Sequence, residues 1–209
     1  THSKLSPNDD FADFENYEYY IQVGKTEFMP READFIRPAL KAGLEIEKSV
    51  GVNPYKFGLI GSTDSHSGVS SPEESNFLGK FATDSTPETK QRLGGQLSAN
   101  GWDMSASGLA AVWAEHNTRE EIFAAFKRRE VYATSGPRII LQLYAGWFFP
   151  EGAETSNDFS NIGSEYGVPM GGELVATSEA QNSISILISA IKDPKGANLD
   201  RVQIVKGWI

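Results

Sequence analysis

The chain has 209 residues, 39% of them hydrophobic, and its 28 acidic and 19 basic residues give a net charge of −9. An acidic chain whose only basic run is Lys127-Arg-Arg129 is a poor partner for a phosphate backbone, so the composition argues against nucleic-acid binding. No apolar run reaches the length of a membrane span, and the absence of cysteine excludes disulfides and thiolate ligands.

The first regular pattern predicts a helix followed by a short strand. Apolar residues recur at helical spacing between Arg31 and Val50, and Pro38 within this range is suited to a first turn, so the helix can begin near it. Gly51 then ends the helix. The apolar run from Phe57 to Ile60 predicts the strand.

This strand leads into the most informative stretch of the chain, Gly61-Ser-Thr-Asp-Ser-His66. Side chains two positions apart on an extended segment point to the same side, so Asp64 and His66 can converge on one ion or on two adjacent ions. A carboxylate and an imidazole together suit zinc, manganese or iron, whereas calcium prefers an all-oxygen shell. The same spacing is also typical of a polar turn in which Asp64 caps backbone amides and His66 faces solvent.

A long polar stretch, residues 67–107, follows the motif at once. Loops of this length in compact enzymes are commonly lids or substrate-binding loops, so we expect it to overhang the site. Beyond it, Gly108 to Ala114 predicts a strand, and Val131 to Ala133 predicts another. Between them the capping box Thr118-Arg-Glu-Glu121 starts a helix that runs to about Arg129. The order predicts a βαβ unit, in which functional residues gather at the carboxyl ends of the strands.

The second strand is followed by Thr134-Ser-Gly-Pro-Arg138. A guanidinium held by a Gly-Pro turn near a metal would bind a phosphate, sulfate or carboxylate through two hydrogen bonds. The alternative is that Arg138 is a buried partner of one of the many acidic residues.

After Arg138 the pattern changes to alternating apolar and polar residues, which predicts an antiparallel β-rich region. The predicted strands are Ile139 to Leu143, Ile184 to Ile191 and Arg201 to Val205, and the segment between the first two is rich in Gly, Ser and Asn. Trp147-Phe-Phe149 offers either an aromatic surface for carbohydrate or packing between the two regions.

Several long phrases carry a resemblance to a known family. They are Gly61-Ser-Thr-Asp-Ser-His66, Ser107-Gly-Leu-Ala-Ala-Val-Trp-Ala-Glu-His-Asn-Thr-Arg-Glu120 and Arg129-Glu-Val-Tyr-Ala-Thr-Ser-Gly-Pro-Arg138, together with the opening Thr1-His-Ser-Lys-Leu-Ser-Pro and the closing Leu199-Asp-Arg-Val-Gln-Ile-Val-Lys-Gly-Trp208. The chain resembles, over nearly its whole length, an uncharacterised bacterial family, domain of unknown function 3604. That family is related to the polymerase and histidinol phosphatase (PHP) metal-dependent hydrolases.

The resemblance implies an α/β fold that is the C-terminal portion of a PHP-like distorted (β/α) barrel with an appended antiparallel β-rich region. Residues 1–138, with the long loop 67–107, would be the barrel part, and residues 139–209 would be the appended region, truncated at its end. Asp64 and His66 match the last metal-binding motif of PHP enzymes, and the family pattern makes His2 an additional ligand. The earlier His-x-His motif is absent, so we expect the missing N-terminal half of the protein to complete the site.

The function implied by the resemblance is metal-dependent hydrolysis, with phosphoesters as the expected class of small anionic substrate. Two or three divalent ions, zinc, manganese or iron, would activate the attacking water in the complete protein. The chain shown would be inactive alone. Hydrolysis of an amide, lactone or sulfate ester is a second expectation, and a non-catalytic carbohydrate-binding module is a third. The resemblance also favours the periplasm over the cytoplasm.

Overall fold

The computed structural model describes residues 2–8, 26–66, 68, 81, 86, 88, 108–176 and 183–209. Within these residues, three α-helices and five strands form two small antiparallel sheets. The helices are α1 (Ile36–Val50), α2 (Arg119–Arg128) and α3 (Phe159–Tyr166). The strands are β1 (Leu109–Val112), β2 (Val131–Thr134), β3 (Ile140–Gly146), β4 (Gly167–Pro169) and β5 (Ser185–Ile191). In this part of the chain no helix has the length and apolarity to cross a membrane.

Helices α1 and α2 confirm the sequence predictions closely. Helix α1 begins two residues before Pro38 and ends at Gly51, whose φ of 79° is the left-handed conformation that favours glycine. Helix α2 begins after Thr118, whose side chain accepts a hydrogen bond from the backbone N–H of Glu121 at 3.3 Å. The polar and apolar spacing of both helices therefore predicted the elements and their ends.

The predicted βαβ unit is wrong, because β1 and β2 pair antiparallel with Leu109 opposite Thr134 and Val112 opposite Val131. A parallel pair would need the helix to carry the chain back along the strands. Here residues 113–118 carry the chain away from the end of β1 by at most about 20 Å. The ten residues of α2 then bring it back over about 15 Å. The chain thus re-enters the sheet at the end that it left.

The second sheet confirms the antiparallel β-rich region after residue 138, with strand order β4-β3-β5. Tyr144 on β3 lies opposite Leu187 on β5, and both are buried together with Ala153. Phe149, Phe159 and Ile162 pack against this cluster, so α3 covers one face of the sheet. The segment rich in Gly, Ser and Asn forms α3 and β4, which the sequence did not predict.

Two predicted strands, Phe57 to Ile60 and Arg201 to Val205, are wrong as strands. The structure assigns neither segment to a sheet, and their apolar side chains are exposed, including Ile60 at 55% and Ile204 at 51%. A strand forms hydrogen bonds with the backbone of a neighbouring strand. An alternating sequence pattern predicts which side chains share a face, but it does not show that a pairing strand is present.

Side-chain hydrogen bonds join the two sheets. The indole Nε1 of Trp113 donates to the carbonyl of Leu141 at 2.9 Å. The hydroxyl of Tyr132 donates to the carbonyl of Ile139 at 2.9 Å and accepts from the N–H of Leu141. The described residues are thus a mixed helix-and-sheet fold, and they form no closed barrel. The boundary at residue 138 stays a prediction.

Candidate metal centre

Asp64 and His66 meet at the surface of the protein. Oδ1 of Asp64 lies 3.1 Å from Nε2 of His66, and the two side chains are 58% and 50% exposed, respectively. Thr63, which precedes Asp64, and Ser65, which lies between Asp64 and His66, are less exposed than the pair. Exposure alternates in this way along an extended segment. The structure therefore brings together the two residues that the sequence singled out.

Backbone geometry at Asp64 departs from a plain strand. Its φ of 54° is left-handed, a region that aspartate tolerates better than most residues because its short side chain can bond locally. The N–H of Ser65 donates to the hydroxyl of Thr63 at 3.3 Å, which closes a tight turn. The result is a polar turn that also presents a carboxylate and an imidazole side by side.

Glycines place this turn against the first sheet. A Cβ added to Gly61 would lie 2.9 Å from the carbonyl oxygens of both Leu109 and Thr134, and one added to Gly108 would lie 2.6 Å from the carbonyl oxygen of Ser62. Only a residue without a side chain permits this close approach. The turn therefore stands at the end of the β1–β2 pair where β1 begins and β2 ends.

The separation of the pair is compatible with a shared ion. Two ligands at about 2.1 Å from one ion lie about 3.0 Å apart at an octahedral angle of about 90° and about 3.4 Å apart at a tetrahedral angle of about 109°. The observed Nε2···Oδ1 separation of 3.1 Å lies in this range, and it is also a hydrogen-bond distance. Within the described ranges no group of three or more acidic or histidine side chains is arranged to hold a metal ion. Asp64 and His66 are therefore suited to supply part of a ligand set.

His2 lies in a different environment. Its side chain is 6% exposed, and its ring packs against Phe28 and Phe35 with centroid separations of 6.1 Å. Its Nδ1 accepts the backbone N–H of Lys4 at 3.1 Å, which leaves the proton of the neutral ring on Nε2. In the described part, His2 forms no metal-binding group with Asp64 and His66. Its assignment as a ligand stays a prediction.

Arg138 follows β2 at the same end of the first sheet, and it is exposed. Its backbone N–H donates to Oδ2 of Asp193 at 2.7 Å. That bond, together with one from the N–H of Lys195, lowers the pKa of the Asp193 carboxyl. Asp193 therefore anchors the loop that carries Arg138, and the predicted role of Arg138 in binding an anion stays a prediction.

The profile of a family described as "Protein of unknown function (DUF3604)" matches residues 1–209. The chain belongs to this family. Comparison with curated proteins and comparison with solved structures each found no significant match. The family description assigns no activity, so any function of the DUF3604 chain has to be argued from its residues.

Two other predicted features of the DUF3604 chain are the loop after the motif and the aromatic run. Loop 67–107 lies outside the described residues except for residues 68, 81, 86 and 88. Trp147, Phe148 and Phe149 do not share one surface, because Phe149 packs against the buried cluster while Phe148 is 61% exposed. Phe149 therefore follows the packing alternative, and the carbohydrate alternative stays a prediction.

Sequence reasoning missed an ion network that lies before the turn. Nζ of Lys56 is 2.8 Å from Oε1 of Glu47 and 3.3 Å from Oε1 of Glu173. These contacts raise the pKa of the Lys56 amine, chiefly through the hydrogen bond to Glu47, and the same bond lowers the pKa of the Glu47 carboxyl. Lys56 and Glu173 are 117 positions apart, so no local pattern could reveal the pair.

Proposed function

We propose that this chain supplies Asp64 and His66 to the metal centre of a hydrolase. The observation that carries the proposal is the convergence of these two side chains at 3.1 Å on an exposed turn. The remaining donors would come from outside the described residues, as kinship with the PHP enzymes implies. That kinship, the barrel, a bacterial origin and a periplasmic location are parts of the same proposal.

Phosphoester hydrolysis is the reaction that we propose. A centre of two or three divalent zinc, manganese or iron ions would supply a water that is ionised near neutral pH and would stabilise the negative charge on the oxygens of the phosphoryl group. Asp64 and His66 would bind as a carboxylate and a neutral imidazole, so both must be deprotonated. Amide, lactone and sulfate ester bonds are alternative targets, since the same activated water could cleave each of them.

The residues around the pair have distinct proposed roles. The ring of Phe81 meets that of His66 edge-on, with centroids 5.3 Å apart and planes at 87°, and this contact would limit rotation of the imidazole. Arg138, on the loop that leaves the same end of the sheet, would bind the anionic substrate through its guanidinium. Half-exposure of the pair keeps the site open to a small substrate.

Turnover with added metal tests the proposal. The protein would be treated with chelator, reconstituted separately with zinc, manganese and iron, and assayed with nitrophenyl phosphate, nitrophenyl sulfate and an aryl lactone. The proposal predicts metal-dependent cleavage of the phosphate that Asp64→Asn and His66→Gln abolish. His116→Gln is the matched control, because this histidine is exposed and lies elsewhere. The same panel is run on any longer form of the protein that contains this chain.

The alternative of a carbohydrate-binding module predicts a different result. Such a module would bind glycans with equal affinity in the presence and absence of chelator. Asp64→Asn would leave that binding intact, whereas Phe148→Ala would weaken it, because Phe148 is the exposed member of the aromatic run.

A further inference from the structure

Arg129 has a backbone conformation that its side chain disfavours. It follows α2 with φ of 64° and ψ of 22°, the left-handed geometry that usually places glycine at this position. Asp64 is the other non-glycine residue with positive φ in the described part of the chain. Strain of this kind persists where the surrounding contacts fix the residue, so the contacts of Arg129 are informative.

The guanidinium of Arg129 reaches the segment that leads into the Asp64–His66 turn. Its Nη1 donates to the carbonyl oxygen of Lys56 at 3.0 Å. Its Nη2 lies 4.0 Å from Oε1 of Glu173, the carboxylate that also pairs with the amine of Lys56. Arg129 therefore holds the backbone of Lys56 directly and its side chain through Glu173.

Two glycines that are distant in sequence, Gly58 and Gly171, let their segments approach Arg129 closely. A Cβ added to Gly171, whose φ is 81°, would lie 2.6 Å from Cβ of Arg129. A Cβ added to Gly58 would lie 3.5 Å from the same atom and 2.7 Å from a methyl group of Val131. The segment from Lys56 to Gly61 is thus held at one end by Arg129 and at the other by the close approach of Gly61 to the first sheet.

We infer that Arg129 is a positioning residue that anchors the segment between Lys56 and Gly61, and through it sets the place of Asp64 and His66. The contacts of Arg129 with Lys56 and Glu173 support the anchoring. Its consequence for metal binding rests on the proposed function. An arginine suits the role because its planar group can donate to a carbonyl and face a carboxylate at once, whereas a lysine offers a single ammonium.

Trypsin digestion of the native protein tests the anchoring, because the bond after Lys56 is the one whose carbonyl Arg129 holds. We expect Arg129→Gly to speed cleavage after Lys56 roughly tenfold, since a hydrogen bond from a charged donor is lost while the backbone is relaxed. Arg128→Ala is the matched control, because the guanidinium of Arg128 contacts Glu130. Cleavage after Lys56 should stay at the wild-type rate in this control, and Arg129→Lys should give an intermediate rate.

The outcomes separate the anchoring from the proposed function. Equal rates after Lys56 in Arg129→Gly and wild type would overturn the inference, as would a uniform rise at every tryptic site. Zinc titration by calorimetry supplies the second readout, with an expected loss of affinity of roughly tenfold in Arg129→Gly. Faster cleavage with unchanged zinc affinity would overturn the positioning of the pair. Faster cleavage in a protein whose wild type binds no zinc would support the anchoring and count against the proposed function.

Discussion

Replacing Asp64 with glycine removes the carboxylate and also relieves the left-handed backbone, so it separates the effect on stability from the effect on metal binding. The left-handed φ of 54° costs an ordinary residue about 1–2 kcal/mol and aspartate somewhat less. Glycine removes that cost, but it raises the conformational entropy of the unfolded chain, which lowers the free energy of unfolding by about 0.5–1 kcal/mol. The contact with His66 is half-exposed, so its loss costs at most about 1 kcal/mol. Asp64→Gly should therefore change the free energy of unfolding by less than about 1 kcal/mol.

Asp64→Ala gives the comparison, because alanine loses the same contact and keeps the strained backbone. We expect it to be less stable than Asp64→Gly by about 1 kcal/mol, which is about 2–4 °C in melting temperature for a domain of 150–250 residues. Urea and thermal unfolding measure the stabilities, and calorimetric zinc titration measures the site. Both variants should lose zinc binding. Equal stability of the two variants would refute the backbone argument, and full zinc affinity in either would refute the ligand assignment.

Two further predictions concern stability. Asp193→Asn should reduce the melting temperature by a constant amount from pH 7 to about pH 5, and the difference should shrink below about pH 4. The reason is that the N–H of Arg138 lowers the pKa of the folded carboxyl below its ordinary value of 3.8, so its stabilisation is lost as pH falls through that lowered pKa; a difference that grows on acidification would contradict this. Gly163→Ala should destabilise the protein by up to about 2 kcal/mol in urea titration, because overpacking of a buried ring costs about 1–3 kcal/mol and the gain in helix propensity offsets only about 1 kcal/mol. The added Cβ would lie 2.6 Å from Cγ of Tyr144, and a net gain in stability would show that the ring can move aside.

Local sequence signals were sufficient for the elements that local interactions define. Helix α1 follows from its apolar spacing and from Gly51, and the start of α2 follows from Thr118. Strands β3 and β5 were predicted from period-two alternation in their sequences, and the structure forms both strands. Convergence of Asp64 and His66 was predicted from their spacing on an extended segment, whereas the structure brings them together in a turn with a left-handed Asp64.

Features that depend on distant pairing could not be read from the sequence. The pattern of β1 and β2 predicts two strands but carries no information on their relative direction, which depends on how residues 113–118 leave the sheet. Helix α3 was missed because its Gly and Ser content hides Phe159 and Ile162, the apolar pair three residues apart that packs on the core. The contact of Arg129 with Lys56 joins positions 73 apart, so it too has no local signature.

The metal content of the purified protein decides whether Asp64 and His66 hold a metal ion. Plasma mass spectrometry would be run on protein prepared without chelator and again after reconstitution with zinc, manganese and iron, for wild type, Asp64→Asn and His66→Gln. Asparagine tolerates the left-handed backbone, so Asp64→Asn changes the donor and keeps the turn. We expect bound transition metal in the wild type and its loss in both variants. Metal retained by both variants, or a wild type that stays metal-free after every reconstitution, would contradict it.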